Sequence, residues 1–217
     1  MIEEIALENV VPCVFQGNNV AISFSEVWGR DVKLLKGQKY LIEAESGTGK
    51  TSLCSYIIGT RTDFTGNILF DGKNSASLSS NKWADIRRKS LAWMPQNANL
   101  FPNLTLLENI QIKNELTDHL SEKRILEMLD ALGLSERLDY QASKLSVGQQ
   151  QRVAFVRMLC QPADFFIMDE PVSHLDVKNN SLIAEMLLSV ASSTGAGIVI
   201  TSVGNRLRIP DMKILQL

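Results

Sequence analysis

The stretch Glu45-Ser46-Gly47-Thr48-Gly49-Lys50-Thr51-Ser52 lies between two apolar runs of different length. The short run Tyr40–Ile42 before it is typical of a strand, and the run Leu53–Ile58 after it is typical of a helix closed by Gly59. A strand, a glycine-rich turn, a Lys-Thr pair and a helix in this order predict a phosphate-binding loop. Successive backbone N–H groups in such a turn form a concave anion site, and the helix N-terminus adds its own N–H groups and dipole.

The side chains of this loop have distinct expected tasks. Lys50 would supply positive charge for the β- and γ-phosphates, and Thr51 a hydroxyl for Mg²⁺. Ala44 stands where the pattern G-x-x-x-x-G-K-[ST] has its first glycine. If that position needs a positive φ, alanine costs roughly 1–2 kcal/mol, and if it merely ends the strand it costs little. The residues expected to bind the phosphates are Ser46, Gly47, Thr48, Gly49, Lys50, Thr51 and Ser52.

Composition limits the classes of protein to which the chain can belong. Its 217 residues are 45% hydrophobic and 21% charged, enough for a full core in one large domain or two small ones. A formal net charge of -2 argues against a nucleic-acid partner. The three cysteines show no framework spacing, which favours a reducing cytosol. No apolar run approaches the ~20 residues of a spanning helix, so any membrane link would go through a partner protein.

The rest of the chain divides into strand-rich and helical parts. Short strands at Ile5–Val14, Val20–Phe24 and Thr65–Phe70 predict a small, partly antiparallel sheet. Later buried strands alternate with helices, which predicts a mainly parallel sheet in an α/β fold. The later strands are expected at Leu91–Met94, Phe165–Met168 and Ile198–Ile200, with Ile214 and Leu215 as a last edge strand. The expected helices are Leu104–Ile112, a run from the Ser121 cap to Leu132, Val153–Leu159 and Ser181–Ala191.

Two carboxylates follow the most apolar of these strands. Asp169 and Glu170 come directly after Phe165–Met168, which places them at the carboxyl edge of the sheet, where ligands bind in open α/β folds. Asp169 would hold Mg²⁺ directly or through water. Glu170 would polarise an attacking water. The alternative is that both acids are merely exposed at a strand end.

Three further segments resemble the ATP-binding cassette (ABC) family. Leu145–Arg152, LSVGQQQR, resembles the signature motif LSGGQ-x-x-R, Met94-Pro95-Gln96 resembles the Q-loop, and Pro171–Asp176 resembles the D-loop. With the phosphate loop and the acidic strand, these motifs occur in the family's order and cover essentially the whole chain. The segment Leu100–Ile110 is similar to that of stand-alone cassettes in lipoprotein-release, cell-division and macrolide-efflux systems.

The resemblance implies a fold and its division. It implies a P-loop NTPase (RecA-like) with a mainly parallel sheet core, an N-terminal antiparallel β subdomain and a helical insert. The whole chain, 1–217, would be a single ABC ATP-binding domain. Its nucleotide core with the β subdomain would comprise 1–96 and 146–217, and its helical subdomain 97–145.

The resemblance also implies a composite site. Two cassettes would bind head to tail, with each ATP held between the phosphate loop of one and Ser146 and Gly148 of the other, just before a helix expected to start near Gln149. Gln96 would reach Mg²⁺ and the attacking water. Phe15 is the first candidate to stack on adenine, and Trp28 the second.

The implied function is that of an ATPase subunit that dimerises on ATP and drives a membrane partner. Its partners would be a second cassette, identical or different, and an integral membrane permease, with no nucleic acid. It would be cytoplasmic and peripheral on the cytosolic face of the plasma (inner) membrane.

Two departures from the family pattern bear on hydrolysis. Val147 replaces the first glycine of the signature, and Val203 takes the place of the switch histidine, which in the family contacts the γ-phosphate. Valine has no hydrogen-bond donor, so we expect ATP binding with slow hydrolysis. His174 in the D-loop is a candidate substitute for the missing donor. The alternatives are a hydrolytically degenerate, nucleotide-sensing cassette in an asymmetric pair, and a non-transport ABC protein acting on ribosomes or DNA.

Overall fold

Two sheets organise the protein, whose computed structural model describes residues 1–17 and 22–217. One sheet is parallel, with five strands, and the other is antiparallel, with four. The strands are β1 (Glu4–Pro12), β2 (Asp31–Leu35), β3 (Lys39–Glu43), β4 (Phe64–Phe70), β5 (Lys73–Asn74), β6 (Leu91–Met94), β7 (Phe165–Asp169), β8 (Gly197–Ser202) and β9 (Lys213–Gln216). The helices with described bounds are α1 (Lys50–Ile58), α2 (Ser80–Lys89), α3 (Leu106–Asn114), α4 (Glu122–Ala131), α5 (Val147–Leu159) and α6 (Val177–Thr194).

The parallel sheet has the strand order β6-β7-β8-β3-β9, so β7 and β8 are central. Every residue of β7 is buried, because apolar layers cover both faces of the strand. Phe165 and Ile167 pack into a core shared with α1 and the antiparallel sheet, whereas Phe166 and Met168 pack into a core shared with α5 and α6. The predicted α/β fold is therefore confirmed, with β9 as the expected edge strand.

The antiparallel sheet has the order β2-β1-β4-β5 and confirms the predicted β subdomain. The register between β1 and β4 shifts between Glu8 and Val11, and Asn9 in the bulge has a φ of 49°. Opposite the bulge, a Cβ on Gly66 would lie 2.3 Å from the carbonyl oxygen of Asn9. Only glycine fits that crossing of backbones, so Gly66 allows the bulge to form.

The helical insert lies between β6 and β7 and packs on α5. Thr105 and Glu108 form a capping box, so α3 begins at Leu106 and not at the predicted Leu104. The hydroxyl of Ser121 accepts a hydrogen bond from the backbone N–H of Arg124 and caps α4 as expected.

Some predicted boundaries were wrong. Helix α5 begins six residues before the predicted Val153, and α6 extends beyond Ser181–Ala191 at both ends. Part of the predicted strand Val20–Phe24 lies outside the described residues, and within them Ile22 and Ser23 are helical rather than extended. Among the described residues, no helix is long and apolar enough to cross a bilayer.

Candidate nucleotide site

The glycine-rich loop connects β3 to α1 at the carboxyl edge of the parallel sheet. Gly47 and Gly49 have φ values of 85° and 102°, which residues with a Cβ rarely adopt. A Cβ on Gly49 would also lie 3.1 Å from the ring of Trp28 and 3.3 Å from that of Phe15. Ala44 has no positive φ, and its N–H continues the strand pairing by donating to the carbonyl of Ser202 at 3.2 Å. The absent first glycine therefore imposes no strain at Ala44.

Lys50, the first residue of α1, is buried beneath the loop. Its Nζ donates to the carbonyl oxygens of Ala44, at 3.2 Å, and Glu45, at 2.7 Å. It also lies 3.7 Å from Oε1 of Glu170. The one cation of the loop therefore faces the same space as the second carboxylate of the acidic pair.

Asp169 ends β7 and is fully buried. Its two carboxylate oxygens accept hydrogen bonds from the hydroxyls of Thr51, at 2.6 Å, and Thr201, at 2.5 Å. Burial raises the pKa of the neighbouring Cys54 thiol well above its usual range, and the charge of Asp169 adds to the effect. Thr201 is not among the residues predicted for the site, although its place at the end of an adjacent parallel strand, level with Asp169, is a usable signal.

Glu170 and Gln96 meet across the site. The Gln96 side-chain amide donates to Oε2 of Glu170 at 3.2 Å. Glu170 has a φ of 49°, and its N–H donates to the Thr201 carbonyl oxygen at 3.1 Å. A left-handed non-glycine residue held by its surroundings is typical of a functional position. The cavity at this point has a volume of about 280 Å³ and is lined by Ser46, Gly47, Gly49, Lys50, Thr51, Ser52, Gln96 and Glu170.

The donor set suits a nucleotide with Mg²⁺. A hydroxyl on Thr51 beside a carboxylate on Asp169 gives hard oxygen ligands, which Mg²⁺ prefers together with phosphate oxygens and water. The described residues contain no cluster of three or more histidine, cysteine, aspartate or glutamate side chains that would form an all-protein metal site. A metal here would therefore depend on the phosphates for much of its coordination.

The two aromatic candidates for adenine stacking differ in accessibility. Trp28 is 1% exposed, and its ring N–H donates to the carbonyl oxygen of Thr48 at 3.0 Å. It supports the loop from below and offers no face to a ligand. Phe15 is half-buried beside Gly49 and stays the candidate with an accessible edge.

The signature segment lies apart from this cavity, whose described lining includes neither Ser146 nor Gly148. Ser146 is the N-cap of α5 and forms a capping box with Gln149. The helix thus begins at Val147 and not near Gln149, and the Ser-x-x-Gln pattern could have shown this. A Cβ on Gly148 would lie 3.0 Å from the backbone oxygen of His174, so the signature helix packs closely on the D-loop.

The segment after β8 also contacts the D-loop. The Ser202 hydroxyl donates to the carbonyl of Asn205, and the Asn205 side chain donates to the carbonyl of Val172, both at 2.9 Å. Val203, which lies between Ser202 and Asn205 in the sequence, is 45% exposed. The side chain at the place of the switch histidine is therefore accessible, and it has no hydrogen-bonding group.

Comparisons with known proteins agree with this geometry. The family described as ABC transporter matches residues 29–173. The lipoprotein-releasing system ATP-binding protein LolD of Buchnera aphidicola subsp. Schizaphis graminum is 33% identical over 79% of this chain and 76% of its own. LolD of Novosphingobium aromaticivorans is 30% identical over 87% of this chain and 86% of its own.

Solved structures of the cassette MJ0796 have the same fold. Its dimeric structure, described as that of a bacterial ABC transporter cassette, is 26% identical, covers 98% of this chain and 94% of its own, and has a TM-score of 0.80. A post-hydrolysis dimer bound to ADP and Pi is 25% identical, covers 91% of this chain and 87% of its own, and has a TM-score of 0.75. The resemblance found in the sequence is thus confirmed, and the chain belongs to the ABC transporter family as an ATP-binding cassette.

Proposed function

We propose that the chain is a slowly hydrolysing ATPase subunit of an ABC transporter, which binds Mg-ATP, pairs with a second cassette and drives a membrane partner. The observation that supports this most strongly is the convergence of Lys50, Thr51, Gln96 and Glu170 on one cavity, with Asp169 hydrogen-bonded to Thr51. Three separate segments supply these side chains, namely the start of α1, the residues after β6 and the end of β7, and each side chain has the chemistry that phosphoryl transfer needs.

Each residue has a task set by its position. The N–H groups of 46–52 and the Lys50 ammonium bind the β- and γ-phosphates. Thr51 and Asp169 would hold Mg²⁺, with Gln96 as a further ligand, and the ion would neutralise phosphate charge when bound. Glu170 accepts a proton from the attacking water, which Gln96 helps to orient.

The separation of the signature segment from the cavity supports a site completed by a second copy. Ser146 and Gly148 start a helix whose N-terminus is suited to an anion, and they lie outside the cavity that contains Lys50. The two MJ0796 structures are dimers, and one of them is bound to ADP and Pi. We infer the same pairing for this chain, with the nucleotide between the two copies.

Val203 and Val147 are the reasons to expect slow turnover. Loss of one donor to the developing phosphate charge costs about 3–4 kcal/mol of barrier, by analogy with an oxyanion-hole donor. Val147, 55% exposed at the first turn of α5, adds a branched side chain where the phosphate would approach. The same two residues favour a second candidate function, that of the weakly hydrolysing half of an asymmetric pair.

A groove between the helical insert, within the proposed subdomain 97–145, and the neighbouring core supports docking of a membrane subunit. Its volume is about 220 Å³, and Phe101 and Ile112 on its lining are 52% and 42% exposed. Burial, and then the charge of Arg157, lowers the pKa of Lys113 beside them. A groove with exposed apolar side chains at Phe101 and Ile112 fits the apolar face of a helix, here one from a permease. The cassette would then lie against the cytosolic face of the membrane.

The Glu170→Gln variant tests the proposal. It should bind Mg-ATP with near wild-type affinity, lose turnover by about 100-fold or more, and accumulate as an ATP-bound dimer detectable by light scattering. The matched control is Glu185→Gln on the exposed side of α6, which should match the wild type in binding, turnover and dimer formation. A wild-type protein that does not bind Mg-ATP would refute the proposal.

Mixing experiments separate the two candidate functions. If the chain turns over ATP alone, the homodimer is competent. If activity arises only after addition of a second cassette with an intact signature and switch histidine, the asymmetric pair is the correct assignment.

A further inference from the structure

His174 belongs to a three-residue hydrogen-bonded cluster at the surface. Its ring Nδ1 lies 2.9 Å from the Ser173 hydroxyl and 3.2 Å from the side-chain nitrogen of Gln151. The same Gln151 nitrogen lies 2.9 Å from the Ser173 hydroxyl. Gln151 is 1% exposed, whereas Ser173 and His174 are exposed. A buried amide therefore holds an exposed imidazole in place.

This cluster favours one of the two ring nitrogens of His174 as the site of the proton. The side-chain oxygen of Gln151 accepts the backbone N–H of His174 at 3.3 Å, which fixes the orientation of the amide. With the amide in this orientation, its NH₂ group faces both the Ser173 hydroxyl and Nδ1, and we infer that Nδ1 accepts a hydrogen bond from it. In a neutral imidazole the proton consequently resides on Nε2, which is left to donate to a ligand.

The backbone of His174 packs against the signature segment. The backbone oxygen of His174 lies 3.0 Å from the Cβ position of Gly148, a contact that only glycine tolerates without a shift. Ser146 and His174 are thus held near each other by the packing of α5 on the D-loop. An anion at the start of α5 would therefore lie close to the D-loop backbone at His174.

We propose that Nε2–H of His174 donates a hydrogen bond to the terminal phosphate of the nucleotide bound by the second cassette, and so replaces in part the donor that Val203 lacks. This rests on the proposed function, because it needs the paired arrangement. His174 of one cassette is then a catalytic residue for the nucleotide that the other cassette binds.

The decisive experiment is a double-mutant cycle between His174 and Val203. His174→Ala should lower kcat about tenfold to a hundredfold, since one hydrogen bond to a charged group is lost. Binding of Mg-ATP to the isolated cassette should not change, because its own phosphate loop provides that affinity. Val203→His should raise turnover about tenfold in the His174→Ala background and clearly less in the wild type.

Two controls separate a donor from a structural role. His174→Gln keeps an N–H donor and should retain turnover within a few-fold, and His119→Ala should match the wild type in turnover. The chain has only two histidines, so ¹⁵N spectra of the full-length protein, with His119→Ala for assignment, report the tautomer directly. An Nδ1–H tautomer, or equal effects of Val203→His in both backgrounds, would overturn the inference.

The outcome can be separated from that of the proposed function. If Glu170→Gln forms no ATP-bound dimer, the proposed function fails and this inference fails with it. If that dimer forms and His174→Ala turns over ATP like the wild type, only this inference is wrong.

Discussion

The phosphate-loop side and the signature side of the molecule are built differently. On the first, hydrogen bonds within the chain connect Thr51, Asp169, Gln96 and Glu170 around a defined cavity. On the second, the capping box of Ser146 satisfies the helix start, and the surrounding surface is open. One side is therefore assembled as a cavity within a single chain. In the proposed function the other side meets a nucleotide only when a second cassette brings it, so substitutions on the two sides should differ.

The largest contrast should come from Lys50→Ala. Loss of the buried ammonium should weaken Mg-ATP binding on the order of 100-fold, because charge-assisted bonds to phosphate contribute about 1.5–3 kcal/mol. Titration calorimetry measures the affinity. Lys39→Ala, at the opposite end of β3, is the matched control and should bind normally. Equal affinities for both variants would contradict a complete site within one chain.

A pair of glycine variants sharpens the contrast within the loop itself. Gly49→Ala should lower the free energy of unfolding by about 2–3 kcal/mol, because strain at positive φ is joined by contact with the rings of Trp28 and Phe15. Gly47→Ala should cost only about 1 kcal/mol, since among the described residues no atom beyond its chain neighbours lies within 4 Å of its Cβ position. Urea denaturation compares the two. Similar losses would show that the rings do not constrain the loop.

The smallest expected effect separates stability from pairing on the signature side. Ser146→Ala and Ser121→Ala each remove an N-cap and should each cost about 1 kcal/mol of unfolding free energy. In the Glu170→Gln background, only Ser146→Ala should also reduce the ATP-bound dimer, because Ser121 caps a helix of the insert. Loss of the dimer in both variants would mean that destabilisation alone explains it.

The fold could be predicted largely from the sequence because hydrophobic pattern decides it. The continuous apolar run at Phe165–Met168 requires burial on both faces, and only a covered parallel strand provides this. Errors came where capping overrides the apolar pattern. The first turns of α5, from Val147 to Arg152, are mostly polar and show no apolar periodicity. The capping box before them is the signal that sets the start of the helix.

The candidate site was predictable only where residue type implies chemistry. Lys50, Asp169 and Glu170 follow from motif and strand position. Trp28 was considered for stacking, but its burial depends on contacts distant in sequence. The link of Gln151 to His174 is of the same kind, because a glutamine within a helix gives no sign of the loop it will hold.

The bonds that Lys50 already makes have a consequence for nucleotide exchange. A phosphate that arrives at the loop competes with the carbonyl oxygens of Ala44 and Glu45 for the ammonium, so the measured affinity is a difference between two sets of bonds. The same competition would draw the Lys50 ammonium away from Glu170, whose Oε1 lies 3.7 Å from it. When a product leaves, the carbonyl oxygens of Ala44 and Glu45 would accept the hydrogen bonds of Lys50 again. Because no buried ammonium is then left unpaired, this exchange favours release of the product and restores the loop for the next nucleotide.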